Sequence, residues 1–186
     1  FVSVIFQQLY NMADSVIAGK FAGEDALAAV GASYPITMIF MAIAVGSNIG
    51  CSVIISQYFG AKWYEKMKTA IYTTLIASVA LSLLLTAAGL LGSRAMMAAI
   101  NTPENIFADG ALYLRIYIGG FVFLFLYNVA TGIFNSMGDS RTPLYFLIGS
   151  SLGNIVLDLI FVAVFHWDVA GVAWATFLAQ GVASVL

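Results

Sequence analysis

Apolar positions in this chain run in long uncharged stretches rather than in strand-like alternation. A membrane-spanning helix needs about 20 mainly apolar residues. Stretches near that length lie at about 1–19, 34–60, 69–92, 112–137, 143–165 and 169–186. The second and third carry no charge, the fourth carries only Arg115 near one end, and the fifth is broken only by Asp158. Short alternating segments are absent, which argues against a transmembrane barrel. The pattern predicts an all-α membrane protein built as a six-transmembrane-helix bundle with short connections. Pro35 and Pro143 are expected near helix starts, where a missing N–H costs little. Thr142 is expected to cap the fifth helix, and Asn101–Glu104 reads as a turn feeding a short amphipathic stretch before the fourth span.

Composition agrees with lipid as the main solvent. The chain is 62% hydrophobic and 9% charged, with a mean hydropathy of +0.98, whereas soluble domains carry roughly a quarter charged residues. The net charge of −2 and the scattered Lys and Arg make no basic patch, so no nucleic-acid partner is expected. Cys51 is the single cysteine, which excludes a disulfide within these residues. The chain has no Walker A loop, dinucleotide fingerprint, HExxH or GxSxG. The first stretch lacks a basic leader and is interrupted by Asp14, so it does not read as a signal peptide. Starting at Phe1 and stopping at Leu186 within an apolar run, the sequence reads as part of a longer chain.

Charge also predicts orientation. The 61–68 segment holds Lys62, Lys66 and Lys68, and the 138–142 segment holds Arg141. In a six-helix count both fall on one side, with Lys20 and Arg94 on the other. Cytoplasmic loops are enriched in Lys and Arg, so the first side is expected to face the cytoplasm, with the lysine cluster meeting anionic lipid. Trp63, Tyr64 and Trp167 are placed at membrane interfaces.

Candidate chemistry concentrates on two acids. Asp14 lies five residues before Gly19, on the order of 8 Å inside that helix end. Asp158 lies past the middle of the fifth stretch, and topology puts both carboxyls toward the outer leaflet. An ionised Asp at the centre of a lipid-exposed helix costs roughly 2.5–3.5 kcal/mol or more. Both acids are therefore expected to face the bundle or a water-filled cavity, where a proton or a metal cation would neutralise them. Gln7, Tyr10 and Asp14 share a helix face, flanked by Asn11. Asn154 and Asp158 share another, and Asn128, Thr131 and Asn135 a third. Buried amides also serve simply to bind helices together. Gly46 and Gly50 fit close helix packing, and His166, as the only histidine, fits an interfacial role better than metal ligation.

Several motifs carry a family resemblance. The run Tyr10-Asn11-Met12-Ala13-Asp14 through Gly19, with the Leu27–Ala32 segment, resembles the first helix and following loop of MATE multidrug and toxin extrusion transporters. Gly138–Pro143 resembles their loop between helices four and five, Asn154–Asp158 their Asn-x-x-x-Asp fifth-helix motif, and Val169–Thr176 the opening of their sixth helix. The pairing of Asp14 with that fifth helix is most similar to the DinF-like branch.

The resemblance implies twelve helices in two lobes, of which residues 1–186 would form the N-terminal lobe, with the C-terminal lobe absent. It implies efflux of cationic or amphiphilic drugs across a prokaryotic cytoplasmic membrane by antiport with Na⁺ or H⁺, without other cofactors. Asp14 and Asp158 would hold the coupling ion, as an Na⁺ site or by protonation. Asn154, and more weakly Gln7, Tyr10, Asn11 and Asn128, would line the cavity. The partners implied are membrane lipid, a drug-like solute and the second lobe. Three rivals remain: a lipid-linked-oligosaccharide flippase of the same superfamily, a non-transporting structural membrane protein, and an intramembrane aspartyl enzyme.

Overall fold

The computed structural model describes residues 24–165 and 167–185, together with Met12 and Val16. The predicted helix 1–19, His166 and the candidates Gln7, Tyr10, Asn11 and Asp14 lie outside the described residues. Among those described, the architecture is entirely helical: α1 (Glu24–Gly60), α2 (Tyr64–Ala99), α3 (Glu104–Gly119), α4 (Phe121–Ser136), α5 (Arg141–Asp158), a π-helical segment (Leu159–Val164) and α6 (Asp168–Val185). Among the described residues three helices are long and apolar enough to cross a membrane: Leu27–Gly60, Tyr64–Ala99 and Arg141–Val164. The α3–α4 pair makes a fourth if its two limbs are one span bent by 46°.

Helix starts depart from the sequence reading. The helix expected from Tyr34 begins at Glu24, so Pro35 lies inside α1 rather than at its start. Proline removes one backbone donor, a loss that membrane helices tolerate where neighbours and hydroxyls supply other bonds. Close by, the Thr37 hydroxyl donates to the carbonyl of Tyr34 at 2.9 Å. The loop expected at 61–68 shrinks to Ala61–Trp63, because Tyr64–Lys68 already belong to α2. The fourth span starts at Glu104 rather than Leu112, which puts exposed Arg115 well inside the bent pair and not near its end.

Short connections are possible because three helices end in the same way. At each end one residue takes a left-handed conformation: Lys62 (φ 59°), Asn101 (φ 53°) and Gly138 (φ 85°). The N–H of the next residue then reaches back five positions: Trp63 to Tyr58, Thr102 to Met97 and Asp139 to Phe134. This is the Schellman closure, which satisfies carbonyls that a helix end leaves open. Thr142 is not the cap of the following helix. Instead Asp139 Oδ1 accepts from the backbone N–H groups of Arg141 and Thr142, both at 3.1 Å, and its Oδ2 accepts from the Thr142 hydroxyl at 2.7 Å.

The α3–α4 pair is the structural centre. It packs on α1, α2 and α6, while α5 is held chiefly by α6. Its bend falls at Gly120, where an added Cβ would meet Phe177 Cδ2 of α6 at 2.9 Å. Phe121, Phe125, Leu114 and Ile118 are fully buried beside it, with Phe40 edge-on to Phe121 at 5.0 Å between ring centroids. A smaller cluster of Tyr113, Val162, Val172 and Ala173 joins α3, the π-helical segment and α6.

Candidate functional site

The candidate site grows out of α5. Ser151, Asn154 and Asp158 follow one another by three and four residues, so they stack on one helix face. All three are buried, at 7%, 2% and 0% exposure. Helix α6 covers this face. Its Thr176 stands across from Asn154, and the Asn154 amide Nδ2 donates to the Thr176 hydroxyl oxygen at 3.5 Å. That hydroxyl in turn donates to the carbonyl of Val172 at 3.1 Å, so its one proton is committed and its oxygen is free to accept. Among the described residues no donor reaches the buried Asn154 Oδ1.

Immediately after Asp158 the backbone changes. Leu159–Val164 is π-helical, with Phe165 N–H donating to the carbonyl of Ile160 and Trp167 N–H to that of Phe161, both at 3.0 Å. A π-turn is rare and gathers at functional positions. Gly171 permits it here: a Cβ at that residue would meet Val162 Cγ2 at 3.0 Å and the Phe161 carbonyl carbon at 3.2 Å.

Asn128 stands differently. It is half-buried on α4, and its Nδ2 donates at 2.8 Å to the carbonyl of Leu124 in its own helix. Of its expected companions, Thr131 is half-buried and Asn135 exposed. Asn48 of α1, flanked in sequence by Gly46 and Gly50, accepts from Ser52 at 3.1 Å and packs against Gly132 of α4. Ser151 was not among the candidates, although its spacing three residues before Asn154 is the signal that places it on that face. Thr176 has no such signal, since nothing in sequence aligns one helix against another.

Every described Lys and Arg is exposed, including Arg94, Arg115 and Arg141, whereas Asp158 is fully enclosed. No group of three His, Cys, Asp or Glu suited to a metal ion occurs among the described residues. The buried set of carboxylate, amide carbonyl and hydroxyl oxygens is the hard-donor chemistry that suits a proton or a hard cation. These features define a multi-pass α-helical membrane protein with an acid sealed in its interior.

Comparison with known proteins places that class in a family. The MatE family model matches residues 1–160. The probable multidrug resistance protein YoeA of Bacillus subtilis strain 168 is 33% identical over 156 residues, covering 84% of this chain and 34% of that protein. The probable multidrug resistance protein YpnP of the same strain is 32% identical over 177 residues, covering 95% of this chain and 40% of that protein. A solved structure, the outward-facing conformation of a multidrug resistance MATE family transporter of the MOP superfamily, superposes with a TM-score of 0.94 at 29% identity, covering 99% of this chain and 41% of that one. The chain belongs to the MatE family. It is a multi-pass protein of the cell membrane, and it spans less than half the length of these relatives.

Proposed function

We propose that the full-length protein exports cationic or amphiphilic drugs by antiport with Na⁺ or H⁺, and that the coupling ion is taken up at Asp158. The observation that carries this reading is Asp158 itself. It is fully buried in an apolar bundle, stacked on Asn154, with Thr176 closing the face from α6. A charge in that setting is expensive, so uptake of a proton or cation changes the energy of the site substantially. Asp14, with Gln7, Tyr10 and Asn11 on or beside its face, is the second acid of the same cavity in this reading, and Asn128 a more distant lining residue. The ion drives export only through its different affinity for the outward- and inward-facing states. A second lobe, supplied by the remaining length of chain, would complete the drug pathway.

Two rivals are less well supported. A flippase for a pyrophosphate-linked lipid needs interior cations, and the described basic residues are all exposed. A purely structural protein would use the polar stripes only for cohesion. The deciding experiment is drug efflux from proteoliposomes of the full-length protein, with pH and Na⁺ gradients imposed separately, for wild type, Asp14→Asn and Asp158→Asn. Loss of ion-driven efflux in both variants is expected. Wild-type efflux with unchanged ion dependence in both would sink the mechanism.

A further inference from the structure

Helices α1 and α2 are joined by the tight 61–63 turn and splay apart to leave a groove of about 780 Å³. Ser47, Cys51, Ile54 and Tyr58 line it from α1. Lys66, Thr69, Thr73, Ala77 and Leu81 line it from α2, at spacings of three and four that form one face, and Phe125 of α4 also lines it. From Lys66 to Leu81 the groove runs fifteen residues of helix, roughly 22 Å. That is more than half the hydrocarbon thickness of a bilayer, about 30 Å.

Its two ends differ in chemistry. At the mouth, Lys66 Nζ lies 4.2 Å from the centre of the Trp63 ring, and Trp63 neighbours Tyr58 with 6.3 Å between centroids. Glu65 also lines the mouth, but Lys68 engages its carboxylate at 3.1 Å. With Glu65 engaged by Lys68, Lys66 leaves the mouth net positive. Below it the wall is mainly apolar. The hydroxyls of Thr69, Thr73 and Ser47 donate to Glu65, Thr69 and Ile43 carbonyls of their own helices. A hydroxyl has one proton to give, so these three present methyl groups, methylene groups and lone pairs to the groove, alongside Ile54, Ala77, Leu81 and Phe125, while Thr74 and Ser78 add two further hydroxyls to the wall.

A cationic, aromatic mouth above a long, mainly apolar slot matches an amphiphile with an anionic head and an extended tail. We infer that this groove is a binding site for an anionic phospholipid: Lys66 and Tyr58 meet the phosphate, and one acyl chain lies between α1 and α2 toward Leu81. Lipid attraction to a loop of lysines alone would be diffuse, whereas the groove holds one molecule in register. The site is separate from the Asp158 face and does not depend on the solute the protein moves.

The test is native mass spectrometry of the full-length protein with dioleoyl phosphatidylglycerol or dioleoyl phosphatidylcholine. Wild type is expected to retain one tightly held phosphatidylglycerol, preferred over phosphatidylcholine by about fivefold or more, the scale of one lysine at an anionic surface. Lys66→Gln removes that preference. Ala77→Phe fills the slot and removes binding of both lipids. Lys62→Gln, in the turn outside the lining, leaves the preference unchanged, and millimolar inorganic phosphate does not displace the lipid. The proposal is overturned if Lys66→Gln keeps wild-type occupancy, as it would were the groove covered by the rest of the protein. Equal losses in Lys62→Gln and Lys66→Gln would also overturn it by showing diffuse surface attraction, and displacement by phosphate would do so by showing an ion site. If Ala77→Phe fails to fold, the Lys66 and Lys62 comparison decides alone, since both side chains are exposed.

Discussion

Asn154 and Thr176, twenty-two residues apart in sequence, meet across the α5–α6 interface, amide donating to hydroxyl at 3.5 Å. The contact orders the upper part of the α5 polar face one turn before Asp158, and α6 thereby becomes part of the site. It also fixes which way the Asn154 amide points, with Nδ2 on Thr176 and Oδ1 left as an acceptor inside the bundle.

Thr176→Val removes the acceptor while keeping the shape. Leaving the Asn154 amide buried and unsatisfied costs about 1–3 kcal/mol. The full-length protein should therefore unfold at lower temperature in detergent, and Thr176→Ser, which restores the hydroxyl, should recover most of the loss. In proteoliposomes the apparent affinity for the coupling ion should fall about tenfold, near 1.4 kcal/mol.

On the proposed reading, Asp158→Asn separates coupling from folding. The amide is nearly isosteric and neutral, so the thermal midpoint should stay within a few degrees of wild type, while the response of efflux to an imposed ion gradient is abolished. A large loss of stability with ion dependence intact would mark Asp158 as structural. Asp158→Leu, which also removes the oxygens, should behave like Asp158→Asn in transport.

Gly132 sets how closely α4 approaches α1. A Cβ there would run into Asn48 Oδ1 and meet Ser52 Oγ at 2.6 Å. Gly132→Ala is expected to cost about 1–3 kcal/mol through overpacking. Asn48→Ala opens the space, so the double variant should be less destabilised than the sum of the singles by at least about 0.5 kcal/mol, measured as a double-mutant cycle of unfolding.

Asp139 makes the α5 start acid-sensitive in one direction only. The Thr142 hydroxyl, then the backbone N–H groups of Thr142 and Arg141, hold its carboxyl below the ordinary value of 3.8. A lowered folded-state value means the cap's contribution is complete above about 3.8 and is lost only as pH falls through the lower folded value. Amide exchange of Arg141 and Thr142, corrected for intrinsic rates, should stay protected from neutral pH down to mildly acidic pH. Asp139→Ala should lose that protection at every pH, with the α5 core amides unchanged.

Much of the bundle was readable from the hydrophobic pattern because lipid demands long apolar runs with satisfied backbones. The ends were less readable. Pro35 read as a helix start, yet α1 begins at Glu24 and runs through it. The lysine-rich Tyr64–Lys68 segment read as loop because it is polar, but Lys and Glu are good helix formers and α2 starts there. Thr142 looked like a cap from its residue type, whereas Asp139 reaches the same N–H groups from the closure of the preceding helix. On the site, periodicity put Asn154 and Asp158 on one face and extends naturally to Ser151.

By itself the sequence determined the membrane class, the number of apolar runs and the acid embedded in the fifth of them, because hydropathy and helical period are local properties. Only the tertiary structure decided that Thr176 faces Asn154, that the α3–α4 span bends at Gly120 under Phe177, and that α5 widens into a π-turn just after Asp158. These depend on which side chains of distant helices compete for the same space, and a closely packed interior settles that only when all of them are in place.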